Sequence, residues 1–204
     1  MPSPNVLLFD LGGVLIDFAG LRELPDLLEE ALPLDEMRRR WLASPAILAF
    51  ERGQISADDF ARQFLAEWRL GLEPEAFVAL FRSWNRGPIE GAHELLARLR
   101  SRHRLACLSN TNELHWEDIL DGHGLRPCFE HHYASHLLRL AKPDPEIFTH
   151  VAEDLGHPPA DIVFFDDNLE NVEGARATGM QAHQVEGITE LTARLVELDL
   201  LEPA

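Results

Sequence analysis

The stretch VLLFDLGGVLIDF, residues 6–18, decides how this chain is read. It begins as an apolar run suited to a buried strand, stops at a carboxylate, Asp10, and passes at once into Gly12 and Gly13. A charge at the tip of a buried strand is costly unless it is paired or used. Two further runs repeat the pattern: RLACLSN at 104–110 ends in Ser109 and Asn110, and DIVFFDD at 161–167 ends in Asp166 and Asp167. MQAHQV at 180–185 is a further strand candidate.

Helical stretches separate these runs. GAHELLARLRS at 91–101 carries Leu95, Leu96 and Leu99 at helical spacing, DPEIFTHVAEDLG ends in Gly156, and NLENVEGARATG ends in Gly179. Strands alternating with helices predict an α/β fold, a parallel sheet with helices on both faces.

Residues 19–86 break the rhythm, with helical segments and no convincing strand. Ser56 is a good N-cap for SADDFARQFLAEW, and Pro74 falls in the first turn of EPEAFVALFRSW. The expected organisation is a core of residues 1–16 and 87–204 with an all-helical insert, 17–86, threaded in after the first strand and leaving at the Gly87-Pro88 turn. Ligands of open α/β sheets bind outside the carboxyl ends of the strands, so the insert would roof the site.

Lys plus Arg number 18 and Asp plus Glu 35, a formal charge of −17 that argues against nucleic acid or an anionic membrane surface as partner. A small phosphate-bearing molecule remains compatible, because a local metal and a few cations outweigh the global field. MPSPNVLLFD has no basic n-region or cleavage-site pattern, and no apolar run approaches a membrane span, so the expected location is the cytoplasm. Cys107 and Cys128 form no CxxC motif, and Cys107, inside LACL, reads as a buried small hydrophobe.

If the three strands are parallel neighbours, their tips bring three carboxylates and a hydroxyl to one sheet edge. They would repel one another unless a divalent cation or a proton intervened, and hard oxygen ligands suit magnesium.

The four segments FDLGGVL (9–15), LSNTN (108–112), AKPDPEIF (141–148) and VFFDDNLENVEGA (163–175) resemble, in order, the four motifs of the haloacid dehalogenase (HAD) superfamily. The helical insert stands in the place of that superfamily's cap in its subfamily IA. With FERGQIS (50–56) and SNTNELH (109–115), the pattern is similar to bacterial sugar phosphatases of the α-D-glucose-1-phosphate phosphatase type and to the N-terminal phosphatase domain of soluble epoxide hydrolases.

The resemblance implies a HAD-like Rossmannoid fold and a Mg2+-dependent phosphomonoesterase acting on a sugar phosphate such as glucose 1-phosphate, as a monomer or small homo-oligomer. Asp10 would be the nucleophile, forming an aspartyl phosphate, and Lys142 would neutralise nucleophile and phosphate. Ser109, with the Asn110 backbone, would bind the phosphoryl oxygens. The metal would be held by Asp10, the Gly12 carbonyl and Asp167, with Asp166 and Asn171 orienting the ligands from behind. Pro143 and Pro145 are expected to form a rigid loop that aims Lys142 inward.

Gly12 stands where many phosphatases of the superfamily carry a second Asp that protonates the leaving oxygen and then activates water, help typically worth ~10²–10⁴-fold. An anomeric phosphate, with its more acidic leaving hydroxyl, would need that acid less; a cap group or an ordered water could replace it; or turnover is slow or absent. Asp17 lies close in sequence, while Glu51 and Arg52 in FERG belong to the insert, and each of the three is read as a surface or packing charge.

Two other readings follow from the same residues. A 2-haloacid dehalogenase shares the nucleophile and also lacks the second Asp, but leaves Asp166-Asp167 without a purpose; a catalytically weak or dead member would serve as a binding or regulatory module. The ten histidines contain no HExxH, and His131 and His132 are expected in surface or loop positions. Trp41, Trp68 and Trp84 fall in the insert and are expected to pack its small core.

Overall fold

The computed structural model describes residues 6–30 and 32–203. Among the described residues there are seven strands: β1 (Val6–Phe9), β2 (Ile16–Phe18), β3 (Asn85–Pro88), β4 (Arg104–Ser109), β5 (His131–Ala134), β6 (Ile162–Asp166) and β7 (Gln181–Gln184). The α-helices are α1 (Gly20–Glu23), α2 (Leu34–Leu42), α3 (Pro45–Glu51), α4 (Ala57–Trp68), α5 (Pro74–Ser83), α6 (Ala92–Leu99), α7 (Ser135–Leu138), α8 (Pro145–Leu155), α9 (Leu169–Ala177) and α10 (Gly187–Glu197).

Five strands form one parallel sheet in the order β5-β4-β1-β6-β7, with Phe9 opposite both Cys107 and Phe165. Alternation along β1 sends Leu7 and Phe9 to one face, packed with Leu95, Leu96 and Leu99 of α6 and Leu191 and Leu195 of α10. Val6 and Leu8 go to the other face, with Ile147, Phe148 and Val151 of α8 and Val172 of α9. The predicted α/β architecture is the one observed. The chain leaves β1 for β4 and β5 on one side and returns to β6 and β7 on the other, so the crevice for a ligand lies outside the C-terminal tip of β1.

Helices α1–α5 all fall between β2 and β3 and close around a third apolar cluster containing Trp41, Trp68 and Trp84. Phe60, fully buried, stacks on Phe50 at 4.4 Å and meets Phe81 edge-on at 4.8 Å, so one aromatic nest joins α3, α4 and α5. Ser44 caps α3 and Ser56 caps α4, each oxygen accepting from a backbone N–H three residues on.

Two features depart from expectation. Ile16–Phe18 and Asn85–Pro88 pair as an antiparallel ribbon, β2-β3, where the sequence suggested a plain exit turn at Gly87-Pro88. His131 and His132, expected on the surface or in a loop, lie half-buried in β5, an edge strand of the main sheet. Cys107 is fully buried, and burial pushes its thiol far above its ordinary value.

Candidate active site

Three parallel strands deliver their tips to one place. Asp10 follows β1 and its N–H bonds Phe165 O at 2.8 Å; Ser109 closes β4 and Asp166 closes β6. Gly13, at φ +73°, turns the chain away from β1, and a Cβ there would sit 2.8 Å from Asp167 Oδ2. Glycine at this position therefore serves both the turn and the approach of Asp167.

At the centre lies Lys142, brought in by the loop before α8. Its Nζ lies 2.8 Å from Asp10 Oδ1 and donates to Asp166 Oδ2 at 2.6 Å and to Leu108 O at 3.1 Å. The Asn110 side chain holds this lysine's backbone from both sides, accepting from Lys142 N at 2.9 Å and donating to Lys142 O at 2.9 Å. Sequence reasoning singled out only the Asn110 backbone; the amide clamp needs a contact across 32 residues that no local pattern announces. The Lys142-Pro143 peptide is cis, and the Pro143 carbonyl packs so closely on α9 that a Cβ at Gly174 would collide with it.

Asp166 is completely buried and its oxygens are occupied. Oδ1 accepts from Asn168 N at 2.8 Å and Asn171 Nδ2 at 3.0 Å, while Oδ2 accepts from Lys142 and again from Asn171 at 3.1 Å. Asp10 pairs with Lys142 alone among the described residues and keeps 7% of its surface open. Burial pushes Asp10 up, Lys142 pulls it down, and Asp166 and Asp167 push it up again, leaving it raised to about 8. Burial alone would lower the Lys142 ammonium, but the two carboxylates more than offset that and hold it above its ordinary value.

Carboxylate oxygens of Asp10, Asp166 and Asp167 lie within 4.8 Å of one another. Burial and Asp166 raise Asp167 to about 6 against the pull of Lys142 and Arg38, so proton or cation is favoured there. This donor set fits a hard divalent cation. Asp166 spends both oxygens on Lys142 and asparagine donors, whereas among the described residues Asp10 and Asp167 each have one ion-pair partner, Lys142 and Arg38. Gly12, two residues after Asp10, has nothing within 4 Å of the position of a Cβ.

Residues from the α1–α5 region approach this edge at several points. Arg38 of α2 reaches Asp167 Oδ2 at 3.5 Å, Arg52 pairs with Asp144 at 2.6 Å, and Ala57 N donates to Glu113 at 3.1 Å. His115, buried and held below its ordinary value by that burial, joins Phe81 O through Nε2 at 2.8 Å and stacks on the Phe81 ring. Of the three nearby charges named from sequence, Asp17 pairs with Arg22 at the surface, Arg52 is the Asp144 partner, and Glu51 stands half-buried near Lys142. Arg38 went unnoticed because one arginine among Arg38, Arg39 and Arg40 carries no signal of its own.

A parallel sheet whose central strand ends in a lysine-paired aspartate, beside a carboxylate cluster, is an arrangement suited to hydrolysis. The chain belongs to the haloacid dehalogenase-like hydrolase family, whose model matches residues 4–179. It is 28% identical over 191 residues to "Phosphatase MT3486" of Mycobacterium tuberculosis (90% of this chain, 88% of that protein). It is 30% identical over 186 residues to "Sesquiterpene phosphatase astK" of Aspergillus oryzae, covering 85% of each. Among solved structures, HAD family enzyme BT-2542 of Bacteroides thetaiotaomicron, in complex with magnesium and inorganic phosphate, superposes with a TM-score of 0.71 at 25% identity, over 90% of this chain and 95% of that one. Among the described residues no helix is long and apolar enough to cross a membrane.

Proposed function

We propose that this chain is a magnesium-dependent phosphomonoesterase that hydrolyses a small phosphorylated metabolite, a sugar phosphate such as glucose 1-phosphate, through an aspartyl phosphate on Asp10. The observation that carries the reading is the buried ammonium of Lys142 shared between Asp10 and Asp166, with Asp167 completing the carboxylate cluster beside them. The phosphatase names and the magnesium and phosphate complex among its relatives support it.

In this reading an Asp10 oxygen attacks phosphorus in line with the leaving oxygen, and water then releases phosphate and restores the carboxylate. Lys142, held in place by Asn110 and Asp166, opposes the rise that burial imposes on Asp10, favouring its ionised form, and offsets the phosphoryl charge. Ser109 and the Asn110 backbone receive the phosphoryl oxygens. Magnesium, held by Asp10, the Gly12 carbonyl and Asp167, supplies further neutralisation of those oxygens when bound. Asn171 fixes Asp166, which fixes Lys142. Residues 17–86 act as a cap domain over the core of 1–16 and 87–204, and contact the ester's alcohol portion.

The test is phosphate release from a panel of sugar phosphates, with magnesium or with chelator, beside Asp10→Asn. Release that needs both the metal and Asp10 is expected. Undiminished release by Asp10→Asn would overturn the assignment of the nucleophile.

A further inference from the structure

A phosphate ester of an ordinary alcohol leaves as an alkoxide unless it is given a proton, and Gly12 has none to give. The polar groups at the strand tips are already committed: Lys142 to two carboxylates, Asp166 to Lys142 and asparagine donors, Asp10 to attack, Asp167 to the cation. A proton donor must come from elsewhere. Glu51 is a carboxyl at this end of the molecule that has no hydrogen bond or ion pair among the described residues.

The segment FERGQIS, residues 50–56, is built so that Glu51 is held from both sides. Phe50 is buried and stacked on Phe60, anchoring the chain in the aromatic nest. Glu51 is the last residue of α3, after which Gly53 N donates to Phe50 O at 3.0 Å and Gln54 N to Ala49 O at 2.9 Å. These two bonds, with Gly53 at φ +62°, are a Schellman ending, which stops the helix in a defined geometry. Gly53 also rests against α7, where a Cβ would collide with the His136 carbonyl. Arg52 pairs with Asp144, two residues beyond Lys142. The two residues after Glu51 are thus tied to core elements on the two sides of Lys142, Phe50 before it is anchored among the insert's aromatic rings, and the Glu51 carboxyl is half-buried within electrostatic reach of that lysine.

We propose that Glu51 is the general acid and base of this site: its carboxyl gives a proton to the leaving oxygen, and its carboxylate then takes one from the water that cleaves the aspartyl phosphate. In the first step the Asp10 oxygen bonds to phosphorus, the ester P–O bond breaks, and the Glu51 proton ends on the alcohol. In the second, water oxygen bonds to phosphorus, the Asp10–phosphorus bond breaks, and Glu51 regains its proton from that water.

Burial pushes Glu51 up to about 7, opposed by the attraction of Lys142 and Arg52, so both protonation forms are present near neutrality. The charged groups around it are Lys142, itself paired with Asp10 and Asp166, and Arg52, paired with Asp144; α7 meets the adjoining turn through the His136 backbone carbonyl.

The inference rests on the phosphatase reading, and the experiment separates the two. Wild type, Glu51→Gln and Glu51→Asp are compared in rapid-quench single turnovers with p-nitrophenyl phosphate, whose phenolate leaves without a proton, and with glucose 6-phosphate, whose alkoxide does not. For Glu51→Gln, phosphorylation by glucose 6-phosphate should slow by about 10²–10⁴-fold. With p-nitrophenyl phosphate it should slow by less than about tenfold, giving a burst of nitrophenol followed by slow turnover because dephosphorylation has lost its base. Glu51→Asp should recover part of the rate, and the wild-type loss of phosphorylation rate with glucose 6-phosphate above about pH 7 should vanish in Glu51→Gln. An equal loss with both esters, or no loss, would overturn the role of Glu51 while leaving the phosphatase standing. A wild type that releases phosphate from neither ester would overturn both.

Discussion

The guanidinium of Arg38 lies 3.5 Å from Asp167 Oδ2, joining a helix of the inserted region to a carboxylate 129 residues away at the tip of β6. Both side chains keep solvent access, 45% for Arg38 and 29% for Asp167, so the contact is a weak ion pair that a stronger cation can displace. It places a positive charge where the proposed magnesium ligand must act.

Arg38→Ala should therefore bind magnesium more tightly. Exposed ion pairs are worth ~0.2–1 kcal/mol, which corresponds to an affinity gain of about 1.5–5-fold when the competing guanidinium is removed. Calorimetric titration with magnesium in the absence of substrate measures it. Weaker binding by the variant would show that Arg38 orients Asp167 for the metal and does not compete with it.

The parts of this arrangement that could be read along the chain are those written in local pattern. Val6–Phe9, Arg104–Ser109 and Ile162–Asp166 announce themselves as strands by unbroken apolar runs, and their polar tips meet because the strands are parallel neighbours. The edge strand β5 is opened by His131 and His132, whose polarity hides it, since an edge strand need not be apolar throughout. The ribbon of Ile16–Phe18 with Asn85–Pro88 has no alternation to detect in three or four residues, one of them glycine and one proline. The Asn110 clamp on Lys142 and the reach of Arg38 to Asp167 are tertiary contacts, and the residue types at those positions are compatible with a dozen bland surroundings. The FERGQIS segment lies between the two cases. Its Ser56 cap is local, whereas the surroundings of Glu51 depend on where Gly53 and Arg52 meet the core.

Lys142→Met should abolish turnover and lower stability together. The variant leaves Asp10 and Asp166 buried without their cation, and breaking a buried pair by deleting one partner typically costs ~3–5 kcal/mol. For a chain of this size that corresponds to a fall in Tm of roughly 6–20 °C. Magnesium should restore part of the loss, because a second cation can answer the same carboxylates, so the deficit measured in chelator should exceed that measured with the metal. Equal Tm values for wild type and variant under both conditions would mean that the ammonium does not hold these carboxylates.

Glu51→Gln tests the same residue that we assign to proton transfer, by a route that involves no substrate. Burial raises Glu51 from its ordinary 4.5 to about 7, so between these values the folded chain binds more protons than the unfolded one. Stability from this group therefore falls as pH rises through that window, and above about pH 7 the ionised side chain is a standing cost. Glutamine removes the charge without changing the shape. Allowing for the solvent that reaches a half-buried side chain, the variant should be more stable than wild type by roughly 1–2 kcal/mol at pH 8, about 2–8 °C in Tm. That advantage should shrink toward zero as pH is lowered to 4.5, where both side chains are neutral in large part. Thermal unfolding at the two pH values reads the difference directly. A gain of stability coupled to a loss of alkoxide-leaving activity is the pattern of a group kept in an unfavourable place for its chemistry. A variant destabilised at both pH values would instead mark Glu51 as a packing residue of the α3 ending.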